Sequence, residues 1–146
     1  MRKFFGLLFI TMVMFSGVCS LQQGSSAAND SPQGDHVIVY YFHGDVRCAN
    51  CHRIETYTKE AVDEYFSKEI DSGELLFEAV NVDRSQNQHF VKDYQLYTKS
   101  VVVSMVKNGK EVKYDNLEGI WNYLGNRQRF LDYIRTEVDK YLKELG

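Results

Sequence analysis

Two cysteines three residues apart, Cys48 and Cys51, are the residues of this chain whose types and spacing could do chemistry. A Cys-x-x-Cys pair can cycle between a dithiol and a disulfide, which is the chemistry of thiol–disulfide exchange. Because His52 follows directly, the same segment also has the Cys-x-x-Cys-His pattern of a c-type haem attachment site. Two further interpretations are a purely structural disulfide and half of a metal site that would add His43 and His52.

The segments on either side of the pair favour the dithiol. An apolar, β-rich run at 37–42 precedes it, and apolar residues at helical spacing follow it as far as Ile70. A strand, a short turn and a helix that starts at the cysteines are typical of a redox-active dithiol. Small c-type cytochromes are mainly helical, whereas this chain is rich in predicted strands. Cys51 and His52 are adjacent and would point to different sides of a helix, which disfavours a shared metal ion. We therefore predict no bound cofactor and no metal.

Residues 1–20 have the features of an export signal. Arg2 and Lys3 precede a mostly apolar run at 4–18 that is too short to span a bilayer comfortably. Small residues allow cleavage at several positions up to residue 28. Cys19 could instead be a lipidated first residue, although Val18 before it makes a poor lipidation motif. The sequence thus predicts an exported, periplasmic or envelope-associated protein.

The charge pattern excludes some classes of partner. The chain carries a net charge of −3, and loss of Arg2 and Lys3 with the signal would change this by two units, to −5. The remaining basic residues form no stripe, so we predict no nucleic-acid partner and no membrane contact except through an N-terminal anchor. If Cys19 is removed, Cys48 and Cys51 remain as an even pair in an oxidising compartment.

The rest of the chain predicts one domain. Residues 21–36 are rich in polar residues and glycine and are typical of a flexible tether, so the domain takes 37–146. Strands are predicted at 37–42, 75–82, 100–106 and 110–114, the second of them central and parallel. Helices are predicted from the cysteines to Gly73, briefly within 83–96, and over 117–145 with a break at Gly125-Asn126. Asn108-Gly109 predicts a hairpin between the last two strands.

These elements predict an α/β fold, a mixed sheet with helices on both faces. Parallel strands joined by a helix would place the cysteines at the carboxyl end of the first strand, where open α/β sheets keep their active sites. Asp83 is expected to shape the turn after the second strand. The chain's tyrosines, including Tyr94 and Tyr97, are expected to pack in the core or half-buried.

The order of elements, the Cys-x-x-Cys after the first strand, Asn81-Val82-Asp83 and the Val-Lys-Asn-Gly-Lys run at 106–110 resemble the thioredoxin-like superfamily over 37–145. This resemblance implies that Cys48 is the exposed attacking sulfur and Cys51 the buried resolving sulfur. It also implies a protein thiol or disulfide as partner, and thiol–disulfide oxidoreductase as the reaction class.

A narrower resemblance rests on Tyr-Tyr-Phe-His-Gly at 40–44, Arg-Cys-Ala at 47–49 and the run at 89–102. These segments are similar to exported bacterial proteins of the nitrophenyl-compound nitroreductase subunit ArsF family. That family name implies a redox accessory subunit. The sequence has no glycine-rich phosphate loop that would indicate a flavin or nicotinamide site.

Three residues depart from the thioredoxin pattern. Arg47 stands in place of a tryptophan, Phe42 in place of a buried aspartate, and Val101 in place of a cis-proline. Arg47 adds a cation beside Cys48, and the helix N-terminus also favours the Cys48 thiolate. His43 or Asp45 could replace the missing proton acceptor. The departures support an alternative, a binding module or accessory subunit with a structural disulfide.

Overall fold

The computed structural model describes residues 34–146. The predictions for the export signal, its cleavage, Cys19 and the tether as far as residue 33 lie outside the described residues. The helices and strands follow one another in this order: β1 (His36–His43), α1 (Ala49–Tyr65), α2 (Ser67–Ser72), β2 (Leu75–Asn81), a 3-10 turn (Ser85–Asn87), α3 (His89–Asp93), β3 (Ser100–Lys107), β4 (Lys110–Asn116), α4 (Ile120–Tyr123) and α5 (Arg127–Leu145). No helix in this part of the chain is long and apolar enough to cross a membrane.

The four strands form one mixed sheet in the order β2-β1-β3-β4. β1 pairs in parallel with β2 and antiparallel with β3, and β3 pairs antiparallel with β4. Asn108 (φ 52°) and Gly109 (φ 72°) form the turn between β3 and β4, where positive φ at both positions suits the twist of a two-residue hairpin. The topology confirms the predicted α/β fold of thioredoxin-like type.

The side chains of β1 alternate between the two faces of the sheet and contribute to a core on each face. Val37, Val39 and Tyr41 face the larger core, which α1 and α5 cover. Ile38, Tyr40 and Phe42 face the smaller core, which α3 covers. β1 is therefore buried on both sides and holds the site that follows it in a fixed position.

Two expectations about the elements are wrong in detail. The first helical region is not continuous, because the backbone leaves helical geometry at the buried Phe66 (φ −131°, ψ 29°), and a second helix starts at Ser67. Gly73 does form the predicted left-handed end (φ 79°). β2 is parallel to β1, as predicted, but it lies at an edge of the described sheet rather than in its centre. Its residues Glu78 and Ala79 are exposed, and β1 is the only described strand that pairs with it.

Candidate functional site

Cys48 and Cys51 lie at the start of α1, directly after the loop that leaves the carboxyl end of β1. Cys48 is the N-cap residue, with extended backbone (φ −111°, ψ 167°), and its side chain is exposed. Cys51 lies one turn into the helix and is only 1% exposed. The two residues are joined by a disulfide, with their Cα atoms 5.0 Å apart. The structure thus brings the predicted pair together, with one sulfur accessible and the other covered.

The helix start supplies the groups that would stabilise a thiolate at Cys48. The Cys51 N–H donates to Cys48 Sγ at 3.2 Å, and the first helical turn carries no acidic residue. Unpaired N–H groups and the positive end of the helix dipole favour negative charge at this position. Cys48 is therefore the sulfur best placed to act as a nucleophile.

Tyr41 lies beneath the dithiol and was not predicted as a site residue. Its hydroxyl donates a 2.7 Å hydrogen bond to the carbonyl oxygen of Cys51, in the protein interior. Burial raises the pKa of Tyr41 to about 12, an effect that the nearby Arg47 guanidinium opposes and the Glu55 carboxylate reinforces. The tyrosine is neutral at physiological pH and remains a hydrogen-bond donor. Strand alternation indicates that residue 41 faces the helices, but not which helical carbonyl it meets.

Arg47 is not a free cation beside Cys48. Its guanidinium pairs with the carboxylate of Glu55, two turns along α1, and lies 5.7 Å from the centre of the Tyr41 ring. Among the described residues, its buried Nε has no hydrogen-bond partner. Glu55 is thus a further member of the site that the sequence analysis missed, because an eight-residue separation across a helix start gives no periodic signal.

A polar network fixes the loop between β1 and Cys48. The Asp45 N–H donates to Asp83 Oδ2 at 2.7 Å, and Asn81 Nδ2 donates to Asp45 Oδ1 at 2.7 Å. The Asp83 N–H donates to Asn81 Oδ1 at 3.0 Å, so Asp83 shapes this turn as expected. His43 Nδ1 lies 2.9 Å from the Gly44 carbonyl oxygen. Within residues 34–146 neither His43 nor Asp45 forms a hydrogen bond to a cysteine sulfur.

The two other departures from the thioredoxin pattern are apolar core positions. Phe42 is 1% exposed and packs against Phe90 and Tyr94 in the smaller core. Val101 is fully buried and pairs with Tyr41 across β1 and β3. No peptide bond between described residues is cis. The positions that carry an acid and a cis-proline in thioredoxins therefore contribute packing here.

An open cleft of about 270 Å³ lies beside the loop that leads to Cys48. Apolar side chains from β1, the following loop and the α3–β3 loop line it, among them Phe42, Val46, Leu96 and Tyr97. Val46 is 79% exposed and Tyr97 is 93% exposed. The expectation that Tyr97 packs in the core is wrong, since it lies in the loop beyond the end of α3. Tyr94, on the same segment, is buried as expected.

The grouping and burial of the side chains around Cys48 and Cys51 bear on the haem and metal interpretations. Among residues 34–146, no three or more His, Cys, Asp or Glu side chains are grouped to hold a metal ion. Cys51 is buried while the adjacent His52 is exposed, so these two side chains do not share one surface. A haem bonded to both sulfurs would need Cys51 to be reached from outside. The geometry favours sulfur chemistry between Cys48 and Cys51 themselves.

Comparisons with known proteins return thioredoxins among the solved structures. The thioredoxin of Fasciola hepatica is 19% identical, with 76% of this chain and 82% of that chain covered and a TM-score of 0.41. A thioredoxin from Thermus thermophilus is also 19% identical, with 70% and 74% covered and a TM-score of 0.43. The thioredoxin of Trypanosoma brucei brucei is 18% identical, with 73% and 78% covered and a TM-score of 0.41.

No family model matches the chain, and no curated protein matches it in sequence. The resemblance to the nitrophenyl-compound nitroreductase subunit ArsF family therefore stays a prediction. At these identities and TM-scores the likeness to thioredoxins carries no functional argument, which rests instead on the sheet topology and the geometry around Cys48 and Cys51. The chain has a thioredoxin-like α/β fold that carries a Cys-x-x-Cys disulfide at the carboxyl end of β1.

Proposed function

We propose that this protein exchanges thiols and disulfides with a protein partner through Cys48 and Cys51. One observation carries the proposal: an exposed cysteine at a helix N-cap is bonded to a buried cysteine one turn later. The exposed sulfur can meet a partner, while the buried sulfur is reached only from within the protein. This difference in access supports Cys48 as the attacking sulfur and Cys51 as the resolving sulfur.

The exchange moves two electrons and needs no bound cofactor. In the oxidising direction, a partner thiolate attacks Cys48 Sγ, the Cys48–Cys51 bond breaks, and Cys51 leaves as a thiolate that takes up a proton. A second partner thiol then loses its proton and attacks the partner sulfur of the mixed disulfide, which releases Cys48 as a thiolate. The partner gains a disulfide and this protein gains a dithiol. The reducing direction is the same sequence in reverse, beginning with the Cys48 thiolate.

The cellular setting is part of the proposal. The charged and apolar pattern of residues 1–20 supports export to the periplasm or envelope, and Cys19 is a candidate for a lipid anchor. If Cys19 is removed with the signal, Cys48 and Cys51 remain as an even pair, which fits an oxidising compartment. The segments similar to the ArsF family support a role as a redox accessory to a larger system. Intact mass of the mature protein would give the N-terminus directly.

Trapping with Cys51→Ser tests the exchange. This variant keeps the attacking sulfur but cannot resolve, so we expect it to accumulate mixed disulfides with partner proteins in its natural compartment. Cys48→Ser, the matched control, leaves the buried Cys51 alone and should accumulate none. Equal trapping by both variants, or none by either, while both retain the wild-type circular dichroism spectrum, would contradict the proposal.

A binding module with a structural disulfide is the second candidate, and Phe42 and Val101 are the observations that favour it. These residues remove a buried proton acceptor and a cis-proline from the site. A structural disulfide would stay oxidised across ordinary glutathione ratios, whereas an exchanging one would equilibrate with them.

The purified protein used for this glutathione titration also tests the haem interpretation. A haem bonded to Cys48 and Cys51 would show a Soret band and block alkylation of both cysteines after reduction.

A further inference from the structure

Arg47 and Glu55 form an ion pair beside the dithiol that the proposed exchange steps do not use. Arg47 directly precedes Cys48, and Glu55 lies two turns into α1. Their side chains are 22% and 31% exposed. In every other ion pair of residues 34–146, at least one side chain is 47% exposed or more. This pair is therefore the best shielded from solvent among the described ion pairs. Charges in such a shielded position interact with less screening by solvent.

The Arg47–Glu55 pair is linked to both cysteines of the disulfide, through the backbone to Cys48 and through Tyr41 to Cys51. Arg47 is covalently next to Cys48, and its guanidinium lies 5.7 Å from the centre of the Tyr41 ring. The Tyr41 hydroxyl in turn donates to the Cys51 carbonyl at 2.7 Å. Glu55 pairs with a terminal nitrogen of the guanidinium, and Arg47 Nε has no hydrogen-bond partner in the described part of the chain, so Glu55 is the charged group that holds the guanidinium in place.

We infer that Glu55 sets how readily Cys48 ionises, and hence the redox equilibrium of the disulfide, by pairing with Arg47. An unpaired guanidinium would stabilise a Cys48 thiolate. The Glu55 carboxylate offsets that charge, so the thiolate gains less than the sequence alone predicts. A less stable thiolate disfavours the reduced form, which makes the disulfide less oxidising. The inference rests on the proposed exchange function, and Glu55 is a positioning residue because it acts through Arg47.

Other titratable groups lie on the elements next to the dithiol, and none of them is changed in the test. They lie on β1, on the loop before α1, on the first turn of α1 and after β2: His43, Asp45, His52 and Asp83. Asp45 and Asp83 already accept hydrogen bonds within the loop network. A change at Glu55 alone therefore isolates the contribution of the Arg47 pair.

The decisive variant is Glu55→Gln, whose amide can still accept a hydrogen bond from Arg47 while the negative charge is gone. We expect a lower Cys48 pKa, measured from the pH dependence of iodoacetamide alkylation of the reduced protein. We also expect the equilibrium constant for oxidation by glutathione to fall about two- to fivefold, a partly exposed ion pair being worth up to ~1 kcal/mol. In that equilibrium, one glutathione disulfide oxidises the protein dithiol and yields two glutathione thiols.

Two further variants show whether Glu55 acts through Arg47. Arg47→Gln removes the cation and should raise the Cys48 pKa and the oxidation constant. In that background, Glu55→Gln should have a clearly smaller effect than in the wild type, because Glu55 then has no guanidinium to hold. Asp63→Asn is the matched control, since Asp63 is on the same helix and paired with Lys59 but further from Cys48. It removes the same unit of charge and should change neither readout.

The outcomes separate this inference from the proposed function. If Glu55→Gln shifts the pKa and the glutathione equilibrium no more than Asp63→Asn does, the inference is overturned, although exchange by the wild-type protein would still support the function. If the wild-type disulfide does not equilibrate with glutathione at all, the proposed function fails. The alkylation profile of the chemically reduced protein then still decides whether Glu55 controls Cys48.

Discussion

Tyr41 joins β1 to the helix that carries the dithiol through one buried hydrogen bond, from its hydroxyl to the Cys51 carbonyl at 2.7 Å. Tyr41→Phe removes this donor, while the Cys51 carbonyl keeps its helical hydrogen-bonding position inside α1. We expect the free energy of unfolding to fall by about 0.5–1.5 kcal/mol, the usual net contribution of one hydrogen bond. Urea unfolding of the oxidised protein, followed by circular dichroism, measures the loss.

Tyr57→Phe is the control for this prediction. Tyr57 is half-buried and packs edge-on against Phe130, and its hydroxyl has no hydrogen bond within residues 34–146. Its replacement should change stability by less than about 0.5 kcal/mol. Equal losses for both variants would show that the hydroxyl of Tyr41 contributes nothing specific at the Cys51 carbonyl.

The cysteines could be predicted from the sequence, whereas the residues around them could not. A Cys-x-x-Cys after an apolar strand fixes both cysteines at a helix start, and the three-residue spacing puts the second one turn further on. Contacts of Tyr41 and Glu55 depend instead on how α1 crosses the sheet and on side-chain rotamers. The sequence shows Arg47 as a cation beside Cys48, but not that Glu55, eight positions away, offsets its charge.

At the scale of elements, local signals predicted the fold well. The Asn-Gly turn, the left-handed Gly73 and the helix start at Asn126 lie where the sequence places them. Each depends on the backbone preferences of one or two residues. The break at Phe66 and the edge position of β2 could not be predicted, because they depend on packing and on which strands pair. An apolar run shows that a strand is buried, but not where it lies in the sheet.

Gly44, at the start of the loop between β1 and α1, lies close to the side chain of Asp83. A Cβ atom at this position would lie 2.7 Å from Asp83 Oδ2, the acceptor for the Asp45 N–H. Gly44→Ala should therefore displace the exposed Asp83 carboxylate from the Asp45 N–H and loosen the loop that leads to Cys48. We expect a loss of stability of about 0.5–1.5 kcal/mol, the usual net contribution of one hydrogen bond. Urea unfolding gives the loss, and the rate of reduction by dithiothreitol reports on the loop.

Gly125→Ala is the matched control, since a Cβ atom there would meet nothing within 4 Å. It should be neutral or stabilise by up to about 1 kcal/mol, because alanine restricts the unfolded chain. Similar behaviour of the two variants would show that the loop yields freely and that Asp83 does not fix the approach to the dithiol.

At the scale of the whole molecule, buried tyrosines occupy both cores. Burial raises the pKa of Tyr40 and of Tyr41 to about 12, in the smaller and larger core respectively. Burial, reinforced by hydrogen bonds to Glu111 and Asp115, also raises the pKa of Tyr94 and of Tyr141. Each folded-state pKa exceeds the ordinary value of 10.0, so the folded protein keeps protons that the unfolded chain has released.

This difference predicts that stability falls at alkaline pH. The contribution of each tyrosine is fully present below pH 10 and is lost as the pH rises from there through the folded-state pKa, near 12 for Tyr40. Tyr40→Phe removes one such group without removing a hydrogen bond within residues 34–146. Above pH 10 the variant should lose stability less steeply than the wild type, by at most about 1.4 kcal/mol per pH unit, and by less where solvent screens the phenolate. Urea unfolding between pH 8 and 11.5 measures both slopes, with Tyr97→Phe as the control because that ring is exposed to solvent already in the folded state.

Parallel slopes for wild type and Tyr40→Phe would mean that the smaller core stabilises the Tyr40 phenolate as well as water does. The close packing around β1 argues against this outcome.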